Sequence, residues 1–417
     1  MRDIGYDAPA AVADLVDNSI DADARNIDLT LEAEGSDSWV RVADDGTGMS
    51  GRRLEEAMRY GSSRVYDDED LGAFGLGMKT ASLSQCRRLT VATRRSPRGR
   101  IEIRRWDLDH VARCDEWELQ RLTPRESGDR LLAPLQGTSG TVILWERLDR
   151  VLEYARPDGH AAMSRFSGLT QEIREHLQMV FHRFLSGELR RGRSRIAITV
   201  NGEWLEAWDP FARAEKATQV LPRQLLPLRH DGRLHRVGVR PFVLPNQVQF
   251  SSPEAHAVAA GPKRWNRQQG LYIYRRDRLI QSGGWNRLRT TDEHSKLARI
   301  AVNIPSDADS AFRINVSKMS VTLPAELRPV LKTLASGVVA RAQDVYRQRM
   351  ELVEGVDDPD PSTEGVEVDG EWKLGDHWSR VVAVLEAELG AQPELLRRVL
   401  VRLSGAGSEA TAVRSAS

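Results

Sequence analysis

Apolar and polar positions fall into a helical rhythm close to the amino end of the chain. Val12, Leu15, Val16, Ser19 and Ile20 recur at the spacing that stacks side chains on one helix face, while Asp14, Asn18 and Asp21 share the other. The pattern predicts a helix through 13–23 that packs through one side and shows carboxylates and an amide on the opposite side. A two-residue alternation then takes over. Ile27, Leu29 and Leu31 predict a strand over 26–32, and a second strand is expected at 39–43. Helices are predicted at 54–60 and 78–85, and strands at 88–93, 99–105 and 141–145. Between the two helices, 61–77 is small, polar and rich in glycine, the composition of a loop that covers a site. Strands interleaved with helices and joined by long returns predict an α/β fold, one sheet covered on one face by helices.

Further along, a long helical pattern covers 160–185 and stops at Ser186-Gly187, a credible domain junction. Strands are expected at 195–200, where Asn201-Gly202 supplies a turn, and at 236–243, 270–280 and 298–304. A helix over 325–350 follows, so this stretch reads as a second, strand-rich α+β unit. Residues 354–370 are acidic with Pro and Gly and read as a linker, and the remainder as one or two short helices and a small-residue tail. The expected units are 1–155, 156–350 and 351–417.

Composition narrows the class. The chain has 417 residues, 40% hydrophobic and 29% charged, enough for two or three domains with real cores. Its net charge is zero, so no global field draws it to nucleic acid or an anionic membrane. The cysteines are Cys86 and Cys114, with no CxxC, which argues against a disulfide scaffold or structural zinc. No apolar h-region opens the sequence, and no run approaches the ~18 apolar residues of a membrane span. A cytoplasmic protein without membrane contact is the expectation.

Chemistry concentrates in four pieces. They are Asn18-Ser-Ile-Asp-Ala22 on the first helix, Asp44-Asp-Gly-Thr-Gly-Met49, Gly72-Ala-Phe-Gly-Leu-Gly-Met-Lys-Thr80, and Gly140-Thr141 entering a strand. A helix that aligns two carboxylates with an amide is suited to a metal ion and a water, although a solvated acidic face has the same pattern. The third piece nearly fits a P-loop, but Met78 separates the last glycine from Lys79 and breaks the phosphate cradle. A dinucleotide fingerprint also fails, because the third glycine is missing after Gly75 and Gly77.

In this order the four pieces resemble the GHKL ATPases, the superfamily of gyrase B, the ninety-kDa heat-shock chaperones, histidine kinases and MutL. The FGLGMKTAS form is similar to MORC-type and related prokaryotic ATPases. GLYIYRRDRLI (270–280) and INVSKMSVTLP (314–324) resemble the transducer domain that follows in the MutL, gyrase and MORC branches. The resemblance implies a two-layer α/β sandwich, the Bergerat ATP-binding fold, followed by an α+β transducer-like domain.

The same resemblance implies the site. Asn18 would ligate Mg²⁺, which prefers oxygen ligands and keeps several waters, so one protein ligand suffices. Asp44 would accept a hydrogen bond from the adenine amino group and reject guanine, whose O6 would face it acceptor to acceptor. Gly46, Gly48 and Met49 complete that box, with the glycines letting the backbone approach the base. Thr141 would close the adenine-and-water network. Gly72, Gly75 and Gly77 would form a lid whose N–H groups lead into a helix N-terminus and suit phosphate oxygens. Lys79 would add a point charge near the phosphates, and Lys318 would reach the γ-phosphate from the second domain. Asp45 and Asp17 read as solvated or structural, and Gly5 and Asp7 as serving a turn.

Two departures stand out. The relatives place a glutamate four residues before the Mg²⁺ asparagine to polarise the attacking water, and here that residue is Asp14. An acid one methylene shorter is expected to give slow turnover, since ~1 Å of misplacement can cost on the order of a hundredfold. The relatives also carry an N-terminal arm across their dimer, and only a short one is expected here unless the start lies upstream. The function implied is an ATP-binding, Mg²⁺-dependent slow ATPase that closes its lid, forms a homodimer on ATP and gates a DNA-related process such as restriction or phage defence. A partner nuclease or other defence protein would do any cutting, because no nuclease motif is visible. The competing readings are a nucleotide-gated scaffold without hydrolysis and a histidine-kinase-like ATP domain, the latter lacking a phosphoacceptor helix pair ahead of it. Basic tracts at 94–100, 104–105 and 190–195 read either as solvated turns or as a groove for DNA.

Overall fold

The computed structural model describes residues 7–59, 77–151, 158–190, 192–314 and 321–354. Helix α1 (Ala8–Asp21) starts where the Asp7 carboxylate accepts from the Ala10 N–H at 2.8 Å, with Pro9 in the first turn. Asp7 is thus a helix cap rather than part of a free turn. The helix leads into an eight-stranded sheet built from β1 (Asn26–Glu32), β2 (Trp39–Asp44), β3 (Arg88–Arg94), β4 (Glu102–Asp107), β5 (Gln120–Leu122), β6 (Gly140–Glu146), β7 (Ala197–Val200) and β8 (Glu203–Trp204). Their order across the sheet is β5-β4-β3-β6-β2-β1-β7-β8.

Period-two burial decides which face each strand gives to the helices. Leu29, Leu31, Val40, Val42 and Val91 pack under Leu15 and Val16 of α1 and under Phe166, Ile173 and Leu177 of the helix His160–Val180. Helices α2 (Gly51–Met58) and α3 (Gly77–Gln85) contribute Leu54, Met58, Ala81 and Leu83 to the same core. The opposite face holds a smaller cluster, in which Leu131 and Leu135 cover Trp39, Ile103, Val142 and Leu144. The result is a two-layer α/β sandwich with a minor apolar cover on its back.

The strand predicted at 195–200 belongs to this sheet rather than to the second one. Its ordered part, β7, pairs parallel with β1, Asn26 opposite Ala197 and Leu29 opposite Val200. Ile196, Ile198 and Val200 are buried in the first core. The helix pattern over 160–185 also breaks, at Phe181, into His160–Val180 and His182–Ser186.

The second sheet contains β9 (Gln219–Val220), β10 (Gln224–His230), β11 (Arg233–Val243), β12 (Gly270–Arg275), β13 (Arg278–Ser282) and β14 (Ala298–Ile304). It is ordered β10-β11-β14-β12-β13, with β9 pairing β11. The long helix Leu327–Glu354 joins its core through Leu327, Leu331, Ala335, Val338 and Ala342, the stripe expected of a helix on a sheet. The single strand predicted at 270–280 is a hairpin. Its turn residues, Arg276 and Asp277, take φ of 50° and 69°, the left-handed pair of a tight hairpin turn without the usual glycine.

One buried ion pair ties the two sheets together. Asp17 on α1 is fully buried, and Arg278 at the start of β13 donates its Nε to that carboxylate at 2.8–2.9 Å across 261 residues of sequence. Asp17 is therefore structural, not solvated. Removing one partner of such a pair leaves an uncompensated buried charge, whereas replacing both by apolar groups is far milder. Arg278→Ala should lower unfolding stability by about 3–5 kcal/mol in a denaturant titration. Asp17→Leu combined with Arg278→Met should recover most of that loss, and an Arg278→Ala protein as stable as its parent would contradict the assignment.

Candidate functional site

The polar residues of the first helix converge with two strand ends. Asp44 closes β2 and lies directly opposite Thr141 of β6, which in turn lies opposite Thr93 of β3. The register therefore sets three polar side chains in a row at one edge of the sheet. Gly140 permits the close approach. Its φ is +145°, and a Cβ there would stand 1.9 Å from the Asp44 carbonyl oxygen.

Asp44 is held on both oxygens. Oδ1 accepts from the Gly46 N–H at 3.0 Å and the Thr141 N–H at 3.1 Å, and Oδ2 accepts from the Ser19 hydroxyl at 2.9 Å. Protein crowds the half-buried group, and that burial pushes its pKa up to about 6 despite the three donors, which act the other way. The carboxylate is fixed in place yet short of solvation, a good state in which to meet one more donor from a ligand.

The adjoining loop is shaped by the same contacts. Thr47 donates its N–H to the Ala22 carbonyl at 2.9 Å, tying the loop to the end of α1. Gly48 has a φ of +62°, and a Cβ on it would meet the Arg94 carbonyl oxygen at 2.1 Å, so only glycine fits. Met49 donates its N–H to the Thr93 hydroxyl at 2.8 Å, and its side chain rests half-buried against the first core. The Thr93 hydroxyl also contacts the Gly140 carbonyl at 3.0 Å and the Thr141 hydroxyl at 3.1 Å. Neighbouring Asp45 has a different task. Burial pushes its pKa up, but hydrogen bonds from Asn26 and from the Arg25 N–H outweigh this and hold it below the usual carboxylate range. It caps the start of β1.

On α1, Asn18 is exposed, and no hydrogen bond engages its side-chain amide among the described residues. Asp14, one turn earlier, is 2% exposed. An uncharged amide oxygen on a rigid helix fits a hard dication that takes its other ligands from phosphates and water. Lys79 lies on α3, almost fully buried, and its Nζ donates to the Arg59 carbonyl at the end of α2. Burial keeps its ammonium below the usual lysine range. Gly77 is the first residue of α3. Gly5, Gly72, Gly75 and Lys318 lie outside the described residues.

Asp14 and Asn18 thus lie on α1, Asp44 and Thr141 at the adjoining ends of β2 and β6, and Gly46, Gly48 and Met49 in the loop after β2. Two further polar residues were not legible as part of this edge. Ser19 fits the apolar stripe by spacing yet bonds Asp44, and Thr93 reads as an ordinary strand residue until β3 is paired with β6. The basic tracts are partly spent inside the fold, although Arg95, Arg98 and Arg100 stay exposed. Arg94 donates to the Leu135 and Gly99 carbonyls, Arg104 is buried against Glu55 and Glu102, and Arg195 donates to the Leu185 carbonyl.

The family of histidine kinase-, DNA gyrase B- and HSP90-like ATPases matches residues 6–138. The DNA mismatch repair protein MutL of Pseudomonas putida is 41% identical over 92 residues, 21% of this chain and 14% of that protein. MutL of Azotobacter vinelandii is 30% identical over 260 residues, 59% of this chain and 36% of that protein. MutL of Halobacterium salinarum is 37% identical over 114 residues, 25% of this chain and 17% of that protein. The chain thus spans about a third or less of the length of these relatives. Among the described residues, no helix is long and apolar enough to cross a membrane. Asn18, Ser19, Asp44, Gly46 and Thr93 lie within the matched segment, with Gly140 and Thr141 just past its end, and residues 6–138 belong to the histidine kinase-, DNA gyrase B- and HSP90-like ATPases, similar to MutL.

Proposed function

We propose that the chain binds ATP with Mg²⁺, hydrolyses it slowly, and uses lid closure and homodimerisation to gate a DNA-related process. The observation that carries the reading is the Asp44 carboxylate, crowded by protein and held by Ser19, Gly46 and Thr141. An acceptor fixed in that way selects a purine with an amino group at C6, hence adenine over guanine, whose O6 would face it acceptor to acceptor. Asn18 would hold the metal, whose role is to neutralise phosphate charge. Asp14 would orient a water and take its proton, with Lys318 adding charge at the γ-phosphate. The mismatch-repair relatives support the DNA-related setting, with restriction or phage defence beside a partner nuclease as its form. A nucleotide-gated scaffold is the second reading, and the specific feature in its favour is the aspartate at position 14.

Asp44 gives a pH signature. Because burial raises its folded-state pKa from 3.8 to about 6, the native state keeps a proton that the unfolded chain releases. This group therefore lowers stability as pH rises from about 4 to 6. Nucleotide selects the ionised form, so ATP affinity should be level above pH 6 and weaken as pH falls through it. Asp44→Ala should weaken ATP binding by about 1.5–3 kcal/mol and abolish that pH dependence. Tight, pH-independent binding by the variant in calorimetry would remove Asp44 from the site.

Asp14 decides between the two readings. Asp14→Ala should bind ATP about as well as the parent and lose ~10²–10⁴-fold in steady-state phosphate release. The Asp44→Ala protein serves as the control for contaminating ATPase. Equal rates in parent and Asp14→Ala, with ATP-dependent dimerisation intact by sedimentation, would establish the scaffold.

A further inference from the structure

One face of the second sheet carries a basic cleft of about 700 Å³, and its lining includes Arg183, Arg190, Arg213, Arg223, Arg236 and Arg240. Alternation along β11 points Arg236, Gly238, Arg240 and Phe242 to the same side. The neighbouring strand β14 sets Asn303 opposite Gly238 and Ala301 opposite Arg240, so small residues lie between the cations and leave a floor. Gly238 is part of the design. A Cβ there would come within 3.0 Å of Arg223 Nη2, so the Arg223 guanidinium lies over a position kept bare.

The carboxylates lining the cleft are already committed. Asp277, in the left-handed turn between β12 and β13, accepts the Arg190 N–H at 3.0 Å and lies 3.5 Å from Arg183 Nη1. Arg183 is fixed further by the Asn303 side chain at 2.7 Å and by the Tyr274 ring. Glu188 pairs with Arg213 at 2.5 Å, and Arg213 also reaches Asp209. Arg223, Arg236 and Arg240 have no carboxylate partner among the described residues. Three guanidinium groups gathered on one floor without counter-charge repel one another, and the geometry that relieves them is an anion with several oxygens.

We propose that this cleft binds a ligand that presents clustered phosphate groups, at a site separate from the Asp44 pocket. Arginine forks match phosphate oxygens two at a time, and a cleft of this volume takes a compact ligand or a short piece of a strand. The phosphates could come from a free polyphosphate or from the backbone of a single-stranded nucleic acid, and the two arms of the test separate these sources. Neither source requires ATP at the first site, so this inference stands apart from the reading of the Asp44 pocket.

The test titrates the full chain with inorganic tripolyphosphate and, separately, with a short single-stranded oligothymidylate, in metal-free buffer. Saturable binding of either probe is expected. Replacing Arg236 and Arg240 together by Ala should weaken it about tenfold or more, and Arg223→Ala should act in the same direction. Gly238→Val leaves every charge in place but fills the floor beneath Arg223, and it should also weaken binding. Asp44→Ala should leave binding unchanged. The salt dependence should flatten in the arginine variants, its slope falling by about one for each phosphate-binding arginine replaced. Thermal unfolding of each variant checks that the changes leave the fold intact, the buried Gly238 included. Tripolyphosphate binding identifies a free polyphosphate, and oligothymidylate binding alone identifies a strand. Absence of binding for both probes, or binding that survives Gly238→Val and the double arginine variant alike, would overturn the proposal.

Discussion

Helix α1 must be buried on nearly every side and still keep a polar edge for a ligand. That constraint organises the molecule. Of its fourteen residues, only Asn18 and Asp21 are exposed, while Asp14, Asp17 and Ser19 are buried with the apolar stripe. Burying carboxylates costs several kcal/mol each unless partners are supplied, so the surroundings must be built to supply them. The second sheet supplies Arg278 to Asp17. The helix that carries the proposed metal ligand is therefore locked to a strand 261 positions away, and neither element can shift without uncovering a charge.

Asp44 is the second expression of the same constraint. Its three donors come from α1, from its own loop and from β6, so the carboxylate reports the joint position of all three. The donors lower its pKa and burial raises it, and burial prevails. A free carboxylate on the surface would be better solvated and so less discriminating, because water would compete for every donor that approached it. The incomplete solvation that makes Asp44 costly to the fold is what would make it selective for a ligand amino group in the proposed function.

Much of this was legible in the sequence, and the misses share one cause. Strong local periodicity placed β1, β2, β3, β6 and β14 within about a residue of their observed ends, whereas α1 starts at Ala8, five residues before the predicted start. Long-range pairing was beyond local signals. Nothing in 195–200 says that its partner is β1, and Ser19 is indistinguishable from an apolar-face residue until Asp44 arrives beside it. The β12–β13 hairpin was hidden because its turn uses Arg276 and Asp277 at positive φ, where sequence rules look for Asn-Gly or Asp-Gly. Asp277 tolerates that strain while its side chain accepts from Arg190. The four-piece order pointed to the edge at Asp44, the proposed nucleotide site, whereas Thr93 joined it only through strand register.

Arginine position, rather than arginine density, determines where charge remains available. The chain has equal numbers of acidic and basic residues, and in its conspicuous basic tracts at 94–105 Arg94 and Arg104 are held by carbonyls and carboxylates, while Arg95, Arg98 and Arg100 stay exposed. The arginines of β11 form no conspicuous tract, because alternation along a strand separates Arg236 from Arg240 by three residues. Arg94 and Arg104 are drawn into separate internal contacts, while residues spread over 183–240 are gathered around one cleft. Arg183, held by Asp277 and Asn303, braces one wall of the cleft, while Arg223, Arg236 and Arg240, without a carboxylate partner among the described residues, keep their donors for an anion.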